Sequence, residues 1–192
     1  MLSRTIFNTP VITPVARVGF QFLQYIFGWK VRGSKADLEK CVYVAAPHTS
    51  NWDFPLMLSV CFTVGIKSRW IGKHTLFPPV VGAIMYWLGG ISIDRRKASN
   101  TVGQMREYYE QRENLELVIT PEGTRSKVKE WKSGFYRIAT AANVPIVPAA
   151  VHAPEKTVII GEPFYPTGDY EADLAEIMKF YDGKVGFRPE NS

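Results

Sequence analysis

Between residues 13 and 29, apolar residues are broken by a single polar stripe. Thr13, Arg17, Gln21 and Gln24 recur at spacings of four, four and three, and almost everything between them is apolar. That period puts the polar groups on one side of a helix. Thr13 followed by Pro14 reads as an N-cap with proline at the first helical position, so the pattern predicts a helix over residues 14–29. At 1.5 Å per residue it spans roughly 24 Å, short of a bilayer crossing, and the stripe argues further against one. Two readings fit. The helix lies in a membrane interface with Trp29, Lys30 and Arg32 at the head groups, or it is buried against the rest of the chain. No other run reaches transmembrane length, since Pro78 and Pro79 interrupt the apolar stretch 76–90.

Beyond residue 40 the rhythm changes to short apolar runs separated by longer helical patterns. Strands are predicted at 41–46, 69–72, 91–94, 115–120, 146–151 and 157–160, and helices at 53–64, 79–88, 99–112, 132–142 and 169–182. The last dozen residues, 181–192, read as a loose tail. Alternation of this kind implies a single α/β domain with a mostly parallel, mixed sheet flanked by helices. In such sheets ligands sit beyond the carboxyl ends of the strands. Segments 48–53, 94–97 and 122–126 each follow a strand end, so they are expected to converge on one edge.

Charge changes the picture at the N-terminus. The formal net charge of the 192-residue chain is +5. Residues 1–36 carry Arg4, Arg17, Lys30, Arg32 and Lys35 with no acid, and the remainder balances. The chain thus divides into a basic, amphipathic segment, 1–36, and a domain over 37–192. An acid-free basic segment interleaved with Phe, Ile and Val suits an anionic lipid surface, and no nucleic-acid motif accompanies it. It also shares features with a transit peptide, though it lacks serine enrichment. Cys41 and Cys61 have no metal-type spacing and are expected to be buried and reduced.

Four segments carry chemistry. His48 and Asp53 sit five apart, histidine in the loop after a strand and aspartate at the start of a helix, so a turn can join carboxylate to imidazole. Asp53 then fixes the tautomer and His48 presents its other nitrogen as a general base. The bland alternative is a histidine that merely caps a helix. Arg95 lies in the run Asp94-Arg95-Arg96-Lys97 after Gly89, Gly90 and Ile93, suited to phosphate or to an ordinary charged surface. Pro121-Glu122-Gly123-Thr124-Arg125-Ser126 combines a glycine that permits close backbone approach with donors for phosphate and an acid for hydroxyls. Val144-Pro145-Ile146-Val147-Pro148 reads either as a wall of an apolar groove or as a plain core strand.

Taken in this order, the four segments resemble the lysophospholipid acyltransferase family, which includes 1-acylglycerol-3-phosphate acyltransferases. Its N-H-x4-D motif is matched by His48 and Asp53, with Pro47 where asparagine is common. G-x-x-x-I-x-R is matched by Gly89, Ile93 and Arg95; F-P-E-G-T-R-S by 121–126, with Thr120 for phenylalanine; and V-P-I-x-P by 144–148. Trp131-Lys132-Ser133-Gly134, and Gly72-Lys73 with Leu76-Phe77, are similar to further family segments, and the likeness spans roughly residues 40–165. The resemblance implies a glycerolipid-acyltransferase fold and transfer of a fatty acyl group to a lysophospholipid hydroxyl. The donor is a thioester of acyl carrier protein or coenzyme A, and no other cofactor is implied. By this likeness His48 is the base and Asp53 its partner. Arg95, Glu122, Gly123, Thr124 and Arg125 bind the acceptor's phosphate and glycerol, Lys73 helps place the donor, and Pro145 lines the acyl groove. The location expected is the cytoplasmic face of a membrane, peripheral or monotopic. A hydrolase using the same pair on water, and a non-catalytic lipid-binding module, are the alternative functions.

Overall fold

Strand β2 (Lys40–Ala46) runs through the middle of the molecule, and everything else is arranged around it. The computed structural model describes residues 4–93 and 98–192. Seven strands form one sheet: β1 (Lys30–Arg32), β2, β3 (Ser68–Lys73), β4 (Gly90–Ile93), β5 (Leu115–Ile119), β6 (Ile146–His152) and β7 (Thr157–Ile160). Their spatial order is β1-β7-β6-β2-β5-β3-β4. Every pairing is parallel except β6 with β7, which form a hairpin closed by the turn Ala153–Glu155. Helices α1 (Ile12–Ile26), α2 (Asp53–Val64), α3 (Pro79–Trp87), α4 (Ala98–Glu110), α5 (Gly134–Ala142) and α6 (Tyr170–Lys179) complete the fold. The expected single α/β domain with a mostly parallel sheet is what the chain forms.

Parallel strands covered on both faces are apolar at nearly every position. In β2, Val42, Val44 and Ala46 point into a core completed by Met105 and Tyr109 of α4 and Phe135 and Ile138 of α5. Cys41 and Tyr43 point the other way, into a core shared with α2, Phe20 of α1, and Ile6 and Phe7. Burial pushes the thiols of Cys41 and Cys61 up to about 12, so neither is a thiolate nucleophile.

Three expectations require correction. Thr13 is not a cap: α1 begins at Ile12, and the Thr13 hydroxyl donates back to the carbonyls of Ile6 and Thr9. The polar stripe is not a uniformly wet face, because Gln24 is buried and its Oε1 accepts from Thr63 Oγ1 of α2 at 2.6 Å. Arg17 and Gln21 stay exposed, and beside them so do apolar side chains, with Val15 and Val18 each 68% and Tyr25 83% exposed. Finally, 181–192 is no loose tail. Tyr181 is buried and donates its hydroxyl to the Val44 carbonyl at 2.7 Å, and the Phe187 ring packs on Trp29. Trp29 therefore sits partly covered at the junction into β1, whose Lys30 and Arg32 are exposed.

Candidate active site

Because β2, β5, β3 and β4 are all parallel, their carboxyl ends share one edge. The order β2-β5-β3 sets the loop after β5 between the loops after β2 and β3. His48 follows β2, Thr120–Arg125 follow β5, and Lys73 ends β3. The fourth strand end, Ile93, pairs with Lys73 on the same edge. Arg95 itself lies outside the described residues.

Asp53 opens α2, where the helix dipole favours a carboxylate, and Pro55 in the same turn gives up no intrahelical hydrogen bond. From there Asp53 Oδ2 accepts three hydrogen bonds: from His48 Nδ1 at 2.9 Å, from the Thr49 amide at 2.9 Å and from the Ser50 amide at 2.7 Å. A carboxylate only accepts, so the ring proton sits on Nδ1 and Nε2 is left as the basic nitrogen. The pair is mostly shielded, with side-chain exposures of 21% for His48 and 11% for Asp53.

Glu122 performs a task its sequence context did not reveal. Its Oε1 accepts the His48 backbone N–H at 3.1 Å, bolting the His48 loop to the end of β5, and its Oε2 is buried with no hydrogen-bond partner among the described residues. Burial is the main influence on this carboxyl and raises its pKa; the His48 amide and imidazole pull the other way. Gly123 follows in the left-handed region, φ 64°, and a Cβ there would come within 2.8 Å of the Lys132 ammonium nitrogen. The turn delivers Thr124 and Arg125 to the surface.

His48 and Asp53 stand at one end of a channel of about 640 Å³, with Gly123, Thr124, Arg125 and Lys73 also on its wall. Deeper, the walls are Leu56, Met57 and Val60 of α2 against Val118, Val151 and Ile160 of the sheet. The apolar sequence of α2 was a readable sign: a helix that is hydrophobic all round needs cover on every side. Pro145 does not line this channel. It is buried at the opposite end of the sheet, where its carbonyl accepts from Val42 N, so the strand after it serves the groove through Ala149 and Val151 instead.

Two contributors were not legible. Thr49, between base and acid, is 1% exposed, and its hydroxyl accepts the Arg188 N–H at 3.1 Å. Gly186 presses so close that a Cβ would lie 2.5 Å from Thr49 Oγ1. The C-terminal segment thus backs the loop between His48 and Asp53.

Residues 29–152 match the family model described as Acyltransferase. The 1-acyl-sn-glycerol-3-phosphate acyltransferases of Salmonella typhimurium and of Escherichia coli are each 34% identical over 151 residues, covering 71% of this chain and 59% of theirs. The enzyme of that name from Limnanthes douglasii is 30% identical over 126 residues, covering 62% of this chain and 43% of its own. The chain therefore spans about two fifths to three fifths of the length of these relatives. A crystal structure of the 1-acyl-sn-glycerophosphate (LPA) acyltransferase PlsC from Thermotoga maritima shares the fold, with a TM-score of 0.60 at 21% identity over 88% of this chain and 76% of that one. With the match running through β1 to the end of β6 and taking in His48, Asp53 and the Glu122 turn, this chain belongs to the Acyltransferase family.

Proposed function

We propose that the protein transfers a fatty acyl group from a thioester to the hydroxyl of a lysophospholipid, with 1-acylglycerol-3-phosphate as the acceptor. The observation that carries this reading is the 2.9 Å His48–Asp53 contact at the end of an apolar channel rimmed by Lys73 and Arg125. A channel walled by Leu, Met, Val and Ile suits an alkyl chain, each buried CH2 contributing about 0.8 kcal/mol. Arg125 and Lys73 are the cations suited to the acceptor's phosphate and to the donor, Arg95 adding to them. The names of the relatives favour the same acceptor.

In this mechanism His48 Nε2 takes the acceptor hydroxyl proton while the oxygen attacks the thioester carbonyl. Asp53 holds the ring and stabilises the imidazolium that forms. The tetrahedral intermediate collapses with loss of the C–S bond, and the imidazolium returns its proton to the departing thiolate. The products are an ester and a free thiol. Thiols pushed up to about 12 by burial favour direct attack by the acceptor over an acyl-cysteine. The exposed apolar face of α1 and the acid-free basic segment 1–36 suit a peripheral position on an anionic membrane, with α1 in the interface. No described helix is long and apolar enough to cross a membrane.

The test is transfer of a labelled acyl chain to a panel of lysolipids, read by mass spectrometry. His48→Ala should abolish diacyl product while lipid binding persists. Thiol release that is equally fast with no acceptor would replace the transferase reading with a hydrolase.

A further inference from the structure

From Thr75 to Ile93 the chain carries no Asp, Glu, Lys or Arg, and α3 lies inside that stretch. One side of α3 is fixed to the protein. Gly82 packs on the Phe77 backbone, the Phe77 and Tyr86 rings meet at 4.7 Å, and Phe77 in turn stacks on Trp70 at 5.8 Å. Met85 reaches the channel, as does Leu76 from the turn before the helix. Among the described residues the other side is uncovered. Val80 is 81% and Ile84 53% exposed, and with the exposed Ala83 they form a stripe at i, i+3 and i+4. The helix that walls the channel on one face thus shows bare hydrocarbon on the other. The face is held in place rather than floppy.

We propose that α3 is a second membrane-embedded element, its Val80–Ile84 stripe resting in the hydrocarbon layer of an anionic phospholipid leaflet so that the channel opens toward the lipid. Nine residues make about 13 Å of helix, so it lies in the plane of the interface. Three observations select this occupant. The stripe carries no charge and no hydrogen-bonding group, which suits acyl chains; a protein interface of ordinary size brings about ten hydrogen bonds and a polar rim. The end of α3 is tied to the basic, apolar N-terminal segment: Ile6 N–H donates to the Trp87 carbonyl at 2.8 Å and the Trp87 indole to Thr9 Oγ1 at 2.9 Å. The end of α3 is thereby hydrogen-bonded to the segment leading into α1, and that segment and helix carry the cations Arg4 and Arg17 that an anionic leaflet attracts. And Leu76 and Met85 connect the stripe's own helix to the channel, so a chain leaving the bilayer has a short apolar path. The inference rests on the membrane reading of α1 but reaches a different surface.

The experiment is site-directed spin labelling of the full chain. Cys41 and Cys61 are buried, so a nitroxide at Ile84→Cys is selective, with the unsubstituted chain labelled alongside as control. Accessibility to oxygen and to a water-soluble nickel chelate is measured with vesicles of phosphatidylethanolamine and phosphatidylglycerol. The label at 84 should favour oxygen when vesicles are present, while one at Glu171→Cys, exposed on α6, keeps favouring the chelate. Val80→Glu with Ile84→Glu should weaken vesicle partitioning on the order of a hundredfold without lowering the melting temperature. A chelate-accessible label on protein that co-floats with vesicles overturns the role of α3 and leaves α1 as the anchor. Failure to co-float overturns both. A label that becomes immobile without lipid, in a chain that sediments as a dimer, assigns the face to a second copy and also overturns the proposal.

Discussion

Replacing Asp53 by asparagine separates what the carboxylate does by charge from what it does by position. Its Oδ2 takes three donors, the His48 ring N–H and the Thr49 and Ser50 amides, while Oδ1 is buried without a partner among the described residues. Asparagine has one oxygen, and three converging N–H groups force it into the Oδ2 place. The ring therefore stays in the same tautomer and orientation, and the charge alone is lost. Unit charges about 4 Å apart at an effective dielectric of about 20 interact by about 4 kcal/mol. With side chains 21% and 11% exposed, roughly 3–4 kcal/mol is the expected loss of transition-state stabilisation. That is a fall in kcat of about 10²–10³ with KM little changed. The asparagine NH2 enters the pocket of Oδ1, where no acceptor waits, at a cost of about 1–3 kcal/mol in stability. For 192 residues this lowers Tm by about 3–10 °C. The assay is steady-state acyl transfer to 1-acylglycerol-3-phosphate in mixed micelles, with thermal unfolding measured in parallel. A kcat within about threefold of the parent, in a variant showing that loss of Tm, would refute a stabilised imidazolium.

The C-terminal brace and the buried acid give two further expectations. Gly186→Ala drives a Cβ against Thr49 Oγ1, 2.5 Å away, and shifts the loop between base and acid. Displacements approaching 1 Å cost up to about 10² in rate, so kcat should fall by at least about tenfold. Unchanged kcat with an intact fold would show that the segment does not position the loop. For Glu122→Gln the sign is set by burial. A carboxyl whose folded pKa is raised holds its proton more tightly when folded than when unfolded, so its contribution to stability is lost as pH rises through the raised value. Glutamine does not titrate and keeps an oxygen for the His48 amide. The variant should therefore gain urea resistance relative to the parent as pH climbs above the ordinary glutamate value of about 4.3, then level off. Parallel curves from pH 4 to 8 would mean the carboxyl is not desolvated.

What could be read in advance, and what could not, divides along the range of the interaction. Strands β2, β5 and β6 announce themselves because burial on both faces demands unbroken apolar runs, and parallel pairing then sends their carboxyl ends to one edge without further information. His48 and Asp53 are joined by a five-residue turn, so their contact is local and the spacing foretells it. Glu122 is 74 positions from His48, and its sequence context, an acid beside glycine and arginine, looks like a ligand site. Only the order β2-β5 reveals that one of its oxygens is committed to the His48 backbone. The same holds at the C-terminus. Phe187, Arg188 and Gly186 are scattered among charged and turn residues with no period, and their partners Trp29 and Thr49 lie more than a hundred positions away. β1 is hidden for a related reason: three residues, two of them charged, carry no apolar run and exist as a strand only because β7 offers an edge. α1 was half legible. Its stripe has the right period, but a buried Gln24 satisfied by Thr63 turns part of that stripe inward and leaves Val15, Val18 and Tyr25 outside. Hydrocarbon is thus exposed on α1 beside Arg17 and Gln21, while one hydrogen-bonding group, Gln24, is turned to the protein. Such exposed hydrocarbon is costly in water and suits the membrane-interface position proposed above.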